Sequence, residues 1–351
     1  MKKLPKKKTM NRADATGIKY FIVHACVEIV CFYLLRYHYP VILSGIIALT
    51  FDFFAFLPQG IIGDFITRHK NIPYETIGNV LMLISVFLVW SSLKPVHVTG
   101  YIVLAIGNAI LHECGAISTV ADSKGRLFPS SLFVSGGSFG VVIGQTLGIN
   151  GLPPYFLIIP LVISEICCLS SRKSLRADSY PVFDCVNKKI PLGIILLAAF
   201  IVTTVRSYIG YAIPISWNKE IWQSFFLFFI MGFGKALGGL LADTIGVRKT
   251  AWIGTLVAVP FLLFGDKLMV VSCIGVFFFS MTMSITFAMC LSVLKKNPGM
   301  AFGITTAALF LGLLPVFFVR FDNMVNAVLI TAFSLLSFFL LYFTLKKPVK
   351  E

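Results

Sequence analysis

Four pairs or single residues set within apolar runs have side chains that could do chemistry. His24 and Glu28 stand four residues apart, His112 and Glu113 are adjacent, and Asp52 and Arg206 each sit in runs of their own. Ionisable groups at membrane depth are costly, so each is a functional candidate by default. On a helix His24 and Glu28 share one face, about a turn apart. An imidazole beside a carboxyl in a cavity can share or relay a proton, with Asp52 as a further carboxyl near mid-membrane. The alternative is a pair that only neutralises itself between helices. The planar guanidinium of Arg206 could clamp a carboxylate, phosphate or phosphonate, or form a permanent salt bridge to Glu28 or Asp52. His112 and Glu113 are read as contacts to a bound small molecule. Glu165 is either a coupling carboxyl or an interhelix hydrogen-bond former, and Lys235 is close enough to an edge to snorkel.

These residues must be positioned by helices. Apolar residues make up 57% of the 351-residue chain and charged residues only 13%. Mean hydropathy is +0.89, far from a soluble composition. A spanning helix needs roughly 20 largely apolar residues, and the chain offers such runs near 17–36, 40–63, 72–93, 96–117, 128–149, 153–170, 189–213, 221–241, 250–265, 268–294, 299–318 and 323–345. The expected fold class is an all-α polytopic membrane protein with 12 transmembrane helices. The polar, basic stretch 171–188 divides it into an N-terminal six-helix bundle (1–170), a linker (171–188) and a C-terminal six-helix bundle (189–351).

The formal net charge of +15 is a topology signal. With the N-terminus inside, the outer loops hold only Arg36, Lys94, Lys219, Lys267 and Arg320. The inner segments hold Lys2, Lys3, Lys6, Lys7, Lys8, Arg68, Lys70, Lys124, Arg126, Lys249, Lys346, Lys350 and the rest of the basic residues outside the runs. That asymmetry places both termini in the cytoplasm of a bacterial-type plasma membrane. The basic excess then faces anionic lipid, and no nucleic acid is expected as a partner. The first apolar run is too long for a secretory signal core, so it is read as a retained span. The eight cysteines show no paired or metal-ligand spacing, and neither metal nor cofactor is expected.

One phrase occurs twice. Gly60-Ile-Ile-Gly63-Asp64 leads to Arg68, and Gly239-Leu-Leu-Ala-Asp243 leads to Gly246 and Arg248, with the aspartates 179 residues apart. The glycines permit close helix approach. Each aspartate lies at a helix end, where it can cap a neighbouring helix and latch the basic side; alternatively the basic residues only fix topology. The repeat offset sets Arg206 against position 27, beside Glu28, so Arg206 is expected to face the same central space from the opposite half. Gly136, Gly140, Gly144 and Gly148 form a stripe on one face of the fifth run, suited equally to static packing and to a moving seam.

The doubled phrase resembles the signature of the major facilitator superfamily between spans 2 and 3 and between spans 8 and 9. Phe65 and Thr67 depart from it in the first copy. Gly107-x-Ala109-x-x-His112, Ser131-x-Phe133-x-x-Gly136-Gly137, His24…Glu28 and Arg206 together resemble the fosmidomycin-resistance branch, with Gln145 where that branch has proline and Glu28 in place of a shorter aspartate. The resemblance implies two pseudo-symmetric bundles rocking around a central site lined by spans 1, 4, 7 and 10. It implies a monomeric secondary transporter whose partners are protons, membrane lipids and a small-molecule substrate. Proton-coupled export of a small organic solute, anionic or drug-like, leads; uptake of a metabolite or nutrient is the alternative, and a lipid flippase a further one. No nucleotide-binding loop or dinucleotide fingerprint is present, so no enzyme is expected.

Overall fold

The structure is a computed structural model, describing residues 11–39 and 45–347. The basic residues Lys2, Lys3, Lys6, Lys7, Lys8 and Lys350, and the expected start of the second run at 40–44, lie outside the described residues. Among those described there is no strand, and the chain forms the all-α polytopic fold expected.

Among the described residues twelve apolar helices follow one another. They are α1 (Arg12–His38), α2 (Ile46–Arg68), α3 (Tyr74–Val89), α4 (Lys94–Asp122), α5 (Phe128–Ile149), α6 (Pro154–Leu169), α7 (Leu192–Ala212), α8 (Ile221–Ile245), α9 (Val247–Phe264), α10 (Met269–Val293), α11 (Pro298–Phe317) and α12 (Asn323–Thr344). Ten are long and apolar enough to cross a membrane; α3 and α6 are shorter. The 16 residues of α3 rise about 24 Å, just under the roughly 30 Å hydrocarbon thickness.

Local chemistry explains most boundaries. Asn11, Asn297 and Asp322 each accept a backbone N–H in the first turn of α1, α11 and α12. Glu220 and Gln223 close a capping box on α8. Pro58, which lacks a donor, stands where α2 breaks between Phe56 and Gln59. Gly246, at φ +93, turns the chain directly from α8 into α9, a conformation L side chains rarely adopt. A π-helical turn at Ile253–Val257 interrupts α9.

Within the first half α1 packs along α5, and α4 along α3 and α2; within the second α7 packs on α11 and α12, and α10 on α8 and α9. The halves meet where α8 packs on α5 and α11 on α2. Outward faces such as Ile158, Ile159, Val162 and Ile166 of α6, or Phe339 and Phe343 of α12, are exposed and apolar, as a lipid-facing surface must be.

The linker is more structured than its polarity implies. It forms a helical turn at Arg172–Leu175 and then runs extended, burying Leu175, Phe183, Cys185 and Val186. Asn187 N–H donates to the Thr344 carbonyl at 2.8 Å and Lys346 N–H to the Cys185 carbonyl at 3.0 Å, pinning it to the end of α12. All eight cysteines are free thiols.

Candidate functional site

The glycine stripe fixes where the first polar group sits. Gly136, Gly140, Gly144 and Gly148 of α5 lie directly against Phe21, Ala25, Ile29 and Tyr33 of α1, one glycine per helical turn. A Cβ at any of the four would strike α1 backbone. The stripe is therefore a packing surface inside the first half, and the contacts between halves are made by other residues. Gly137, one residue on, leaves the space into which the His24 imidazole fits.

That packing brings His24 to His112. Their Nε2 atoms stand 2.7 Å apart, with the rings edge to face. His24 Nδ1 lies 2.9 Å from the Phe133 carbonyl and His112 Nδ1 lies 2.9 Å from the Asn108 carbonyl. A carbonyl only accepts, so each Nδ1 carries its hydrogen and both Nε2 lone pairs converge. Glu28 Oε1 sits 3.6 Å from the first Nε2 and 3.3 Å from the second. It also accepts from Asn108 Nδ2 at 3.3 Å. All three residues are buried. Two facing lone pairs beside a carboxylate repel unless a cation lies between them. The three could ligate a metal ion, but two imidazoles on one tetrahedral ion stand about 3.3 Å apart. At 2.7 Å the pair is spaced for one shared proton, N–H···N.

Sequence reasoning assigned His112 to a bound molecule and His24 with Glu28 to the proton; the fold joins all three. It missed Asn108, whose carbonyl fixes the tautomer of His112 and whose amide holds Glu28. The signal was its position one turn before His112 on α4.

Other charged groups separate into different places. Asp52, on α2, lies within electrostatic range of Glu28 and of Tyr211 near the end of α7. Lys235, on α8, is within range of both Glu28 and Arg206, and no ion pair holds it among the described residues. It is the cation of the second half whose electrostatic range takes in Glu28. Arg206 does not take that place. Its guanidinium lies 5.3 Å from the Phe279 ring and lines a cavity of about 10 Å³ with Val202, Thr255, Thr282, Ser334 and Ser337, inside the second half. The residue at the repeat offset, Val27, is likewise buried, at 2% exposed. Glu113 likewise leaves the central space. It is 0% exposed with no hydrogen-bond partner for either carboxyl oxygen among the described residues, and it packs beside Gly63 of α2. Adjacent helix residues point about 100° apart, which is why His112 and Glu113 part company. Glu165 accepts from Thr76 at 2.7 Å and Asn79 at 2.8 Å, joining α6 to α3.

The doubled phrase sits on both seams between halves. Asp243, at the end of α8, accepts backbone N–H groups of Leu127 at 2.7 Å and Phe128 at 3.0 Å, capping the start of α5. Asp64, at the end of α2, pairs with Arg68 at 3.0 Å and accepts from Asn297 Nδ2 at 2.5 Å. Asn297 in turn accepts from Met300 N–H at 3.0 Å, so Asp64 reaches α11 through a relay. Gly60 lies against Gly303, Gly63 against Gly299, and Gly239 against Ser131. Arg248 takes no part in either cap; it lies against the rings of Trp252 and Tyr342.

No family model matches the sequence, and no curated protein sequence does. The fold is matched by solved structures. A variant of the E. coli fucose:proton symporter FucP aligns at TM-score 0.61 and 14% identity, covering 94% of this chain and 98% of that one. FucP in the outward conformation aligns at 0.60 and 15%, covering 94% and 97%. The human organic anion transporter MFSD10 (TETRAN) aligns at 0.63 and 14%, covering 95% and 100%. The chain thus has, over nearly its whole length, the fold of major facilitator superfamily transporters.

Proposed function

We propose that the chain is a secondary active transporter that couples a proton to the movement of a small organic anion. The observation that carries this is the 2.7 Å contact between His24 and His112 beside Glu28. With one shared proton the trio is neutral; without it the trio carries one negative charge. Lys235 of the second half lies within electrostatic range of Glu28. When the trio is negative it attracts Lys235, and when protonation neutralises it, Lys235 is released to hold an anionic solute. Proton and anion therefore bind together. The latch face, where Asp64 and Asp243 lie, is closed by both seams, so the solute reaches the site from the other face; rocking of the halves 1–170 and 189–351, joined by 171–188, exposes it alternately. Basic residues put the latch face in the cytoplasm. The likeness to a fucose:proton symporter and to an organic anion transporter supports this reading.

The sign of the linkage bears on direction. Co-binding of proton and anion favours symport, and so uptake. Proton-driven export, the direction implied by the likeness of His24…Glu28 and Ser131-x-Phe133 to the fosmidomycin-resistance branch, needs proton and solute to compete for the site. It remains the second reading, favoured by those motifs.

The test is reconstitution in proteoliposomes under an imposed pH gradient with a panel of organic anions. Acidifying the compartment facing the open side should drive anions across. Glu28→Gln should abolish the response to the gradient while exchange of solute for solute continues, and Lys235→Ala should weaken anion selection at least tenfold. Proton-driven flux unchanged by Glu28→Gln would falsify the coupling assignment.

A further inference from the structure

A cavity on the latch face lies away from the central charges. It has a volume of about 350 Å³. Its walls come from Gly125 and Leu127 before α5, from Phe183 to Cys185 of the linker, from the turn joining α8 to α9, and from Lys346 and Lys347 after α12.

Two carboxylates and four cations line it, and both carboxylates are already engaged. Asp243 holds the Leu127 and Phe128 amides. Asp184 is bound by Lys346 at 2.5 Å and Lys188 at 3.4 Å. Three cations remain uncompensated: Arg248, Lys249 and Lys347, none of which has an ion pair or hydrogen bond among the described residues.

Arg248 is the unusual member. It is 7% exposed, and its Nε is buried with no partner among the described residues. Its guanidinium lies 4.1 Å from the Tyr342 ring centroid and 5.2 Å from that of Trp252. Aromatic contacts engage the face of the guanidinium and leave its in-plane N–H groups to find acceptors. Burying such a group without an acceptor is costly. Residues 247 to 249 also begin α9 at Gly246, where no side chain caps the helix.

We propose that this cavity binds a phosphate monoester. Arg248 supplies the in-plane pair of hydrogen bonds, and Lys249 and Lys347 supply point charges that match a group of nearly two negative charges. The volume exceeds what a bare phosphate needs, so a carrier such as a glycerol or inositol unit fits with it. Two sources offer that chemistry on a basic face: a soluble phosphorylated metabolite, or the headgroup of an anionic lipid.

Binding to full-length protein separates them. In one arm, detergent-purified protein is titrated with glycerol 3-phosphate by calorimetry. In the other, the protein in nanodiscs of phosphatidylcholine with or without phosphatidic acid is assayed for retained lipid by native mass spectrometry. Lys249→Gln combined with Lys347→Gln, both exposed positions, should lower affinity about tenfold or more. Arg248→Lys, which keeps the charge but loses the fork, should lower it by a similar factor. Variant-sensitive binding of glycerol 3-phosphate identifies a soluble ligand; variant-sensitive retention of phosphatidic acid alone identifies a lipid headgroup. Either supports the site. If neither phosphate source binds, or if the double lysine variant binds both as well as the parent, the proposal is overturned.

Discussion

The two seams carry the same phrase but hold by different means. At α2–α11 the approach is backbone to backbone: Gly63 against Gly299 and Gly60 against Gly303, with Thr306 Oγ1 donating to the Phe56 carbonyl at 3.1 Å and Phe53 packed on Phe310. Its aspartate reaches across only through Asn297. At α5–α8 the aspartate caps the partner helix directly, while Gly239 faces a side chain, Ser131, rather than backbone. One latch is chiefly steric and the other chiefly polar. Each copy of the phrase marks a position at which two helices meet, and each seam is closed with the chemistry its neighbour offers.

Substituting the glycines tests this most severely. Gly63→Val drives a side chain into the Glu113 carboxyl and the Gly299 backbone at once, neither of which has room to yield. Overpacking of this kind costs about 1–3 kcal/mol or more. Gly239→Val meets the Cβ and Oγ of Ser131 but comes no nearer to backbone than the Leu127 carbonyl, so its cost should fall below that of Gly63→Val. The readout is the separation of spin labels placed across each seam on the latch face. Gly63→Val should shift α2–α11 towards open more than Gly239→Val shifts α5–α8; equal shifts break the distinction.

The aspartates should rank the other way. Asp243→Ala strips the acceptor from two backbone N–H groups at the start of α5, a loss of about 1–2 kcal/mol, near tenfold in the ratio of closed to open. Asp64→Ala leaves Asn297 still capping Met300, so about 0.5 kcal/mol is expected, roughly twofold. The same label pairs measure both. An Asp64 effect as large as that of Asp243 means the relay through Asn297 is the stronger bond, and the polar and steric labels must be exchanged.

The sequence made helices legible because length and hydropathy determine spans in lipid, and α5 and α6 lie where their apolar runs lie. The trio was half legible. His24 and Glu28 share a face by spacing alone, but bringing in His112 depends on how α5 glycines set the depth of α1 against α4, a packing result that spacing does not encode. Arg206 shows the limit of symmetry arguments. The offset pairs Arg206 with Val27, and Arg206 was expected to share the direction of Glu28, which lies one residue and about 100° away from that counterpart. Lys235 and the ties of the linker escaped because each depends on tertiary neighbours far along the chain.

The linker offers the smallest and most discriminating test, since it is tied beside each latch. Near Asp64's helix, Lys70 approaches Asp178 at 3.7 Å, with the Asp178 side chain fully exposed. Such a pair contributes little. Beside Asp243's cavity, the hydrogen bond from Lys346 holds the Asp184 carboxyl below the usual carboxylate range, with Lys188 adding to it. A depressed carboxyl contributes stability that is fully present above the ordinary carboxylate range and lost as pH falls through its lowered value. Both partners are 43% exposed, so screening by solvent limits the contribution to less than about 1 kcal/mol. Asp184→Asn should therefore speed hydrogen exchange at the Asn187 and Lys346 amides severalfold at neutral pH, with the difference from the parent vanishing in acid. Asp178→Asn should leave exchange in the linker unchanged. If Asp178→Asn speeds it more, the linker is anchored on the steric side, and the polar character assigned to the Asp243 side does not extend beyond its cap.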